Sequence, residues 1–332
     1  MKKLICLTLA VLLMAALFTG CSQTPAQGGD QELKKISVLL DWTPNTNHTG
    51  LFAAKELGYF AEEGLDADIF QPSESTGVAL VAAGQGDFAV SYQEEVTYAR
   101  TAADPLPIQA IAAVIQHNTS GFASPVDRNI TSPKDFEGKK YGGWGSPMEE
   151  TVIRGLMEKA GADYSKLEIV DVGDMDFFAA TEKAVDFTWI YEGWDGVAAG
   201  LRGVDINFIK VNDVEPILDY YTPVLVANDD MLKNDPETVK KFLRAVTKGY
   251  QYCVDHPEEA AQYLLNAAPE TDKELAVASQ KYLAKEYISD APRFGEMSEQ
   301  RWTDYANWMY ENKLIEQKLD VSSAFTNEFL PE

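Results

Sequence analysis

Residues 36–115 alternate short apolar runs with helix-length segments, and this alternation constrains the fold more than any other feature of the chain. Segments 36–40, 66–71, 88–91 and 108–115 read as strands, and 50–57, 76–83 and 94–102 as helices. That order predicts βαβ units and a parallel sheet. Gly84-Gln85-Gly86-Asp87 ends a helix and reverses the chain before the buried run at 88–91, a structural turn rather than a chemical one.

A second lobe is expected from about Pro125. Segment 131–140 reads as a short helix and turn, 141–144 as a strand end, 147–160 as a helix, and 167–172 and 187–191 as strands. The chain then returns through 220–227, so two crossings are expected, near 121–126 and 220–226. The division is a leader at 1–20, a tether at 21–34, a first lobe from 35–124 and 222–332, and a second lobe at 125–221. Two lobes joined by two crossings make a hinge that can close on a ligand. Beyond residue 235 the pattern is helical. Asp235-Pro236-Glu237 places a cap, a first-turn proline and an acid in sequence, and Phe242, Ala245, Val246 and Tyr250 recur at helical spacing. Further helices are expected from Pro257, over 271–288 and over 298–313. Trp302, Tyr305, Trp308 and Met309 share one helical face and read as core.

In open α/β sheets, ligands sit at the carboxyl ends of strands, where helix N-termini add free N–H donors. Four segments carry suitable chemistry there. Asp41-Trp42-Thr43-Pro44-Asn45-Thr46-Asn47-His48 holds more aromatic and amide groups than a helix cap needs. Ser91-Tyr92-Gln93-Glu94-Glu95 ends a strand; its adjacent acids favour a helix dipole, and Glu95 is taken as the one facing the cleft. Gly142-Gly143-Trp144-Gly145-Ser146 opens a helix with backbone N–H groups able to hold an anion, but lacks the Lys-Ser/Thr ending of a nucleotide loop. Trp189-Ile190-Tyr191-Glu192-Gly193-Trp194-Asp195 sets Glu192 among aromatics. The candidate ligand-binding set is Trp42, Asn45, Asn47, Tyr92, Glu95, Trp144, Gly145, Ser146, Glu192, Trp194 and Tyr221.

Lys2 and Lys3, the apolar run 4–17 and the Gly20-Cys21 pair form a lipoprotein leader in which Cys21 takes the lipid; the usual Leu three places before the cysteine is Phe18 here. The apolar stretch is too short to span a bilayer comfortably. Residues 22–32 suit a flexible tether, so a lipid anchor would hold the domain at the outer face of a membrane. Cys6, Cys21 and Cys253 offer no disulfide framework and no metal set, and Cys253 reads as a core thiol. The formal charge is −24. Removing Lys2 and Lys3 with the leader leaves 26 basic against 52 acidic residues, or −26, which argues against nucleic acid and direct adhesion to anionic lipid.

The run Trp42-Thr43-Pro44-Asn45-Thr46-Asn47-His48, followed by Gly58-Tyr59-Phe60…Gly64-Leu65, resembles the solute-binding proteins that deliver thiamine-pyrimidine precursors to ABC transporters. That group is related to the fungal thiamine-pyrimidine synthase and to nitrate, sulfonate and taurine binding proteins. The resemblance runs from about residue 36 to the C-terminus. It implies the type II periplasmic-binding-protein fold, an extracytoplasmic location, an ABC permease with its ATPase as partner, a monomer, and no cofactor. The implied ligand is a formylaminopyrimidine or hydroxymethylpyrimidine. An aminopyrimidine pairs an N–H₂ donor with a ring-nitrogen acceptor, which suits stacking on Trp42, Tyr92, Trp144, Tyr191, Trp194 and Tyr221 and reading by Glu192, Asn45 and Asn47. Relatives carry an acidic residue at the Glu192 turn. Alternative ligands are a riboflavin-like flavin, nitrate, taurine or a sulfonate; the absence of Arg and Lys from the four segments disfavours the anions. The rival class is a pyrimidine-synthesising enzyme. Aligned with the fungal synthase, Ser91 stands where its cofactor lysine would be, Glu95 where its consumed histidine would be, and Tyr221-Thr222-Pro223-Val224-Leu225 where its cysteine-rich motif would be. The chain is therefore expected to bind rather than catalyse.

Overall fold

The computed structural model describes residues 32–332 apart from Glu74 and Asp174. The expected leader, the lipidation site Cys21 and nearly all of the expected tether lie outside the described residues.

Two five-stranded sheets are built on the same plan. The first contains β1 (Lys34–Leu39), β2 (Leu65–Phe70), β3 (Phe88–Ser91), β4 (Ile108–Ala113) and β10 (Val224–Asn228), in the order β2-β1-β3-β10-β4. The second contains β5 (Ser120–Pro125), β6 (Lys140–Gly143), β7 (Glu168–Asp171), β8 (Phe187–Tyr191) and β9 (Ile206–Lys210), in the order β7-β6-β8-β5-β9. Strand β1 opens at Lys34, the last residue of the expected tether.

Neither sheet is purely parallel, contrary to the sequence expectation. β10 runs antiparallel to β3 and β4, and β5 antiparallel to β8 and β9. Each is the first strand after the chain changes sheet. A chain entering a lobe from the hinge starts where the resident strands end, so it must run against them. This also moves the first crossing. Residues 121–125 are already inside β5, so the chain changes lobe within 114–119, and the second lobe begins before Pro125.

The first lobe is held by apolar residues of β1–β4 and β10 packed on helices Thr49–Glu56 and Pro236–Asp255. Phe242 stacks on Phe88 with ring centroids 3.7 Å apart. The two helices touch at glycines: a Cβ on Gly249 would lie 2.1 Å from the Gly50 carbonyl oxygen, and one on Gly50 would meet the Tyr250 ring at 2.4 Å. Asp235 caps the longer helix through Thr238 N–H, as its sequence predicts. The second-lobe core gathers Phe122, Phe136, Tyr141 and Phe187, and draws in Tyr305 and Met309 from helix Glu299–Glu311. The expected aromatic stripe is core: Trp302, Tyr305 and Met309 are buried, and Trp308 is partly so. Among the described residues, no helix is long and apolar enough to cross a membrane.

Candidate functional site

A cleft of about 840 Å³ lies between the carboxyl ends of the two sheets. The first lobe gives it Asp41, Trp42, Asn45, Asn47, Tyr92 and Glu94. The second gives Trp144, Ser146, Asp176, Trp189, Tyr191, Trp194 and Asp195, and the crossings add Ile115, Thr119, Tyr220 and Pro223.

The turn after β1 is tightly wired. Asn45 Oδ1 accepts from Asn47 N–H at 2.9 Å, and Asn45 Nδ2 donates to the Thr43 carbonyl. Nδ1 of buried His48 accepts from Asn45 N–H at 3.2 Å, which leaves Nε2 as the N–H that donates to Asp41 at 2.7 Å. Tyr250 donates to the Asn47 carbonyl at 2.6 Å and Tyr287 to the Thr46 carbonyl at 2.7 Å. The glycine contact beneath Tyr250 lets its hydroxyl reach this far. Asn45 thus spends most of its amide on capping. No hydrogen bond among the described residues uses the Asn47 side-chain amide.

The turn after β6 is wired differently. A side chain on Gly143 would collide with Glu149 Oε1 at 2.5 Å; the bare backbone lets that carboxylate lie under the strand end. There Glu149 accepts from Tyr141 Oη at 2.6 Å, Trp144 N–H at 3.1 Å and Ser146 N–H at 2.9 Å. Burial pushes its carboxyl up, and these donors partly offset the push. The backbone donors expected to hold an anion are therefore already engaged by the chain's own carboxylate. Gly145, at φ 81°, supplies the left-handed residue that the turn needs. Trp144 stands 53% exposed, edge-on to Trp189 with ring centroids 5.9 Å apart.

Of the sequence candidates, Trp42, Asn45, Asn47, Tyr92, Trp144, Ser146 and Trp194 meet at the cleft, whereas Glu95, Gly145, Glu192 and Tyr221 are not among its lining residues. Glu95 accepts from Ser91 Oγ at 2.7 Å. Tyr221 is buried in a core with Val224 and Trp302, and its Oη accepts from Ser298 N–H. Glu192 accepts from Tyr282 Oη at 2.7 Å. Next to it Ser279 Oγ donates to the Gly193 carbonyl and so receives from Thr46 Oγ1 at 2.6 Å. Helix Lys273–Leu283 thus bonds to the first-lobe turn and to the second-lobe rim, bridging the lobes.

Sequence reading missed Glu94, Asp195, Tyr220 and Asp176. Extended neighbours point oppositely, so Tyr220 rather than Tyr221 faces the cleft. The turn Glu192–Gly196 winds Asp195 inward. Burial pushes Asp195 up to about 6, and burial with the nearby Glu95 and Glu149 charges pushes Glu94 up to about 7. The cleft residues include no Lys, Arg or His, and no cluster of potential metal ligands occurs among the described residues.

Two α/β lobes of matching topology around such a cleft define the type II periplasmic-binding-protein fold. Within it, the chain belongs to the NMT1/THI5-like family, which it matches over residues 45–260. It is 30% identical over 322 residues to the formylaminopyrimidine-binding protein of Halalkalibacterium halodurans, covering 95% of this chain and 97% of that one. It is 24% identical to a 4-amino-5-hydroxymethyl-2-methylpyrimidine phosphate synthase of Legionella pneumophila, covering 90% and 93%. Among solved structures, the periplasmic aliphatic sulphonate binding protein of Escherichia coli superposes with a TM-score of 0.69 at 14% identity, covering 87% and 91%; that likeness is one of fold.

Proposed function

We propose that this chain is the extracytoplasmic solute-binding lipoprotein of an ABC importer and that it captures a thiamine pyrimidine precursor, a formylaminopyrimidine or hydroxymethylpyrimidine. The observation that carries this reading is the chemistry of the cleft: indole and phenol rings from both lobes, carboxyls at Asp41, Glu94, Asp176 and Asp195, and no cationic side chain. Rings stack on a flat heterocycle, each adding about 0.5–1.5 kcal/mol beyond area burial, and carboxyls take the hydrogens of an amino group. Sulfonate or nitrate would find no positive partner, and the helix N-terminus that could have received one already holds Glu149. Binding rather than synthesis is supported by Ser91 and Glu95. On the resemblance to the fungal synthase they stand where its lysine and histidine would be, and here Ser91 Oγ donates to Glu95. Closure about the crossings would trap the ligand and present a closed form to the permease, with Cys21 carrying the lipid.

Calorimetric titration of the mature, unlipidated chain with formylaminopyrimidine, hydroxymethylpyrimidine, riboflavin and taurine tests the ligand. Micromolar or tighter binding of a pyrimidine is expected, with taurine silent. Binding of riboflavin alone would keep the transport role and replace the ligand. Taurine binding would overturn the charge argument.

A further inference from the structure

Resting on that ligand class, we propose that Glu94 is the specificity-determining carboxyl of the cleft: it grips the amino–ring-nitrogen edge of an aminopyrimidine as a carboxylic acid, so that capture of the ligand carries a proton with it.

Two of the other cleft carboxyls are engaged: Asp41 accepts from His48, and Asp176 caps helix Phe177–Lys183 through Ala179 N–H at 2.8 Å. Asp195, pushed up by burial, has the opposing charge of Arg202 nearby. Glu94 differs. It opens helix Gln93–Thr101 just past the end of β3 and lines the cleft, yet no hydrogen bond among the described residues reaches its carboxyl. The titratable groups around it are Glu95 and Tyr98 on its own helix, Glu149 across the cleft, and the hydroxyls of Tyr92, Tyr191, Tyr220 and Tyr305. None is cationic, so none of these neighbours among the described residues neutralises Glu94.

A carboxylate offers only acceptors and would leave the ligand's ring nitrogen without a donor. A carboxylic acid offers one acceptor and one O–H, the mirror image of an N–H₂ beside a ring nitrogen. If the ring nitrogen takes the proton instead, the complex holds the same number of protons. When Glu94 starts ionised, one proton therefore enters from solvent with each ligand. Since its carboxyl is held near 7, the requirement costs little below neutrality and grows above it.

The test is a dissociation constant for hydroxymethylpyrimidine and formylaminopyrimidine at pH 6, 7, 8 and 9, for the native chain, Glu94→Gln and Glu94→Ala. Native affinity should be level below about pH 7 and fall by about tenfold per unit above it. The Gln amide keeps the acceptor–donor pair but does not titrate. Glu94→Gln, nearly isosteric and hence expected to fold, should therefore bind within a few-fold of native at pH 6 with a flat profile. Glu94→Ala should bind about 10- to 100-fold more weakly than native at pH 6, with a flat profile that the native chain approaches by pH 9. A Glu94→Gln protein that retains the slope, or a Glu94→Ala protein that binds like native at pH 6, overturns the inference while leaving the ligand reading intact. A native chain that binds neither pyrimidine overturns both.

Discussion

The turns after β1 and β6 do the same job with opposite chemistry. Each leads from the strand next to the edge of its sheet into a helix, closes a capping box, and leaves one tryptophan standing in the cleft, Trp42 at 54% and Trp144 at 53% exposure. In the first, the closing side chain is His48, and the turn leans on Tyr250, Tyr287 and Ser279 from the C-terminal third. In the second, the closing side chain is the carboxylate of Glu149, and the support is local. The lesson is that a glycine-rich strand-to-helix turn need not be an anion site. Its donors can be satisfied from within, and what then faces the ligand is the ring.

The borrowed support of the first turn gives the largest expected effect. Gly249→Ala forces a Cβ into the Gly50 carbonyl, moving the helix that carries Tyr250. A loss of about 3 kcal/mol in urea unfolding is expected, and a loss below about 1 kcal/mol would show that the helices yield. Glu149→Ala breaks the second turn by leaving Tyr141 Oη and two backbone N–H groups without an acceptor, at about 2–4 kcal/mol. It also vacates an anion position, so sulfate should restore part of that stability, whereas sulfate should not rescue His48→Ala. Equal sulfate responses in the two variants would erase the distinction between the turns.

The tryptophans come next. Trp42→Ala and Trp144→Ala should each weaken pyrimidine binding by about tenfold and change stability by less than about 1 kcal/mol, because both rings are half exposed. If only one matters, the lobes do not share the ligand evenly. A smaller effect is expected for Tyr282→Phe, which removes one hydrogen bond between the lobes. A few-fold loss of affinity, with small-angle scattering shifted towards an open form, would match its bridging position. Unchanged affinity and scattering would make that bond incidental.

Much of this was legible in the chain. Apolar runs of four to eight residues mark strands whichever lobe they serve, and two bulky indoles at strand ends, with no core role to fill, mark the cleft. Three acids and tyrosines were placed one to three residues from those that line it: Glu95 for Glu94, Tyr221 for Tyr220, Glu192 for Asp195. Which side chain faces inward depends on the first few dihedral angles of a turn. At Glu95 it depends on a hydrogen bond to Ser91, and at Glu192 on a tyrosine 90 residues away. The direction of β5 and β10 was equally hidden, because it follows from where the chain re-enters a lobe rather than from local pattern.

The comparison can also be sharpened at the hinge, where the two crossings meet. His117, in the first, places Nδ1 2.7 Å from Asp219 of the second and Nε2 2.9 Å from Asp290. Arg301 lies 3.3 Å from Asp219 as well. With a carboxylate at each ring nitrogen, the imidazole is favoured in its charged form. The bond to Asp219 raises its pKa despite partial burial, and the bond to Asp290 adds to this. Because the folded value lies above the unfolded one, about 6.5, the stabilisation is complete below that pH and is lost as pH rises through the folded value. Burial works to raise the Asp219 carboxyl, but its bond to His117, the charge of Arg301 and its bonds to Asn118 and Asn212 outweigh it and hold it low. Its contribution therefore disappears only on strong acidification. The cluster is partly exposed, so the effect is discounted to at most about 1 kcal/mol. Urea unfolding of native and His117→Gln chains at pH 6 and pH 9 should show a gap at the lower pH that closes at the higher one. A gap of constant size would mean that the histidine joins the crossings by shape alone.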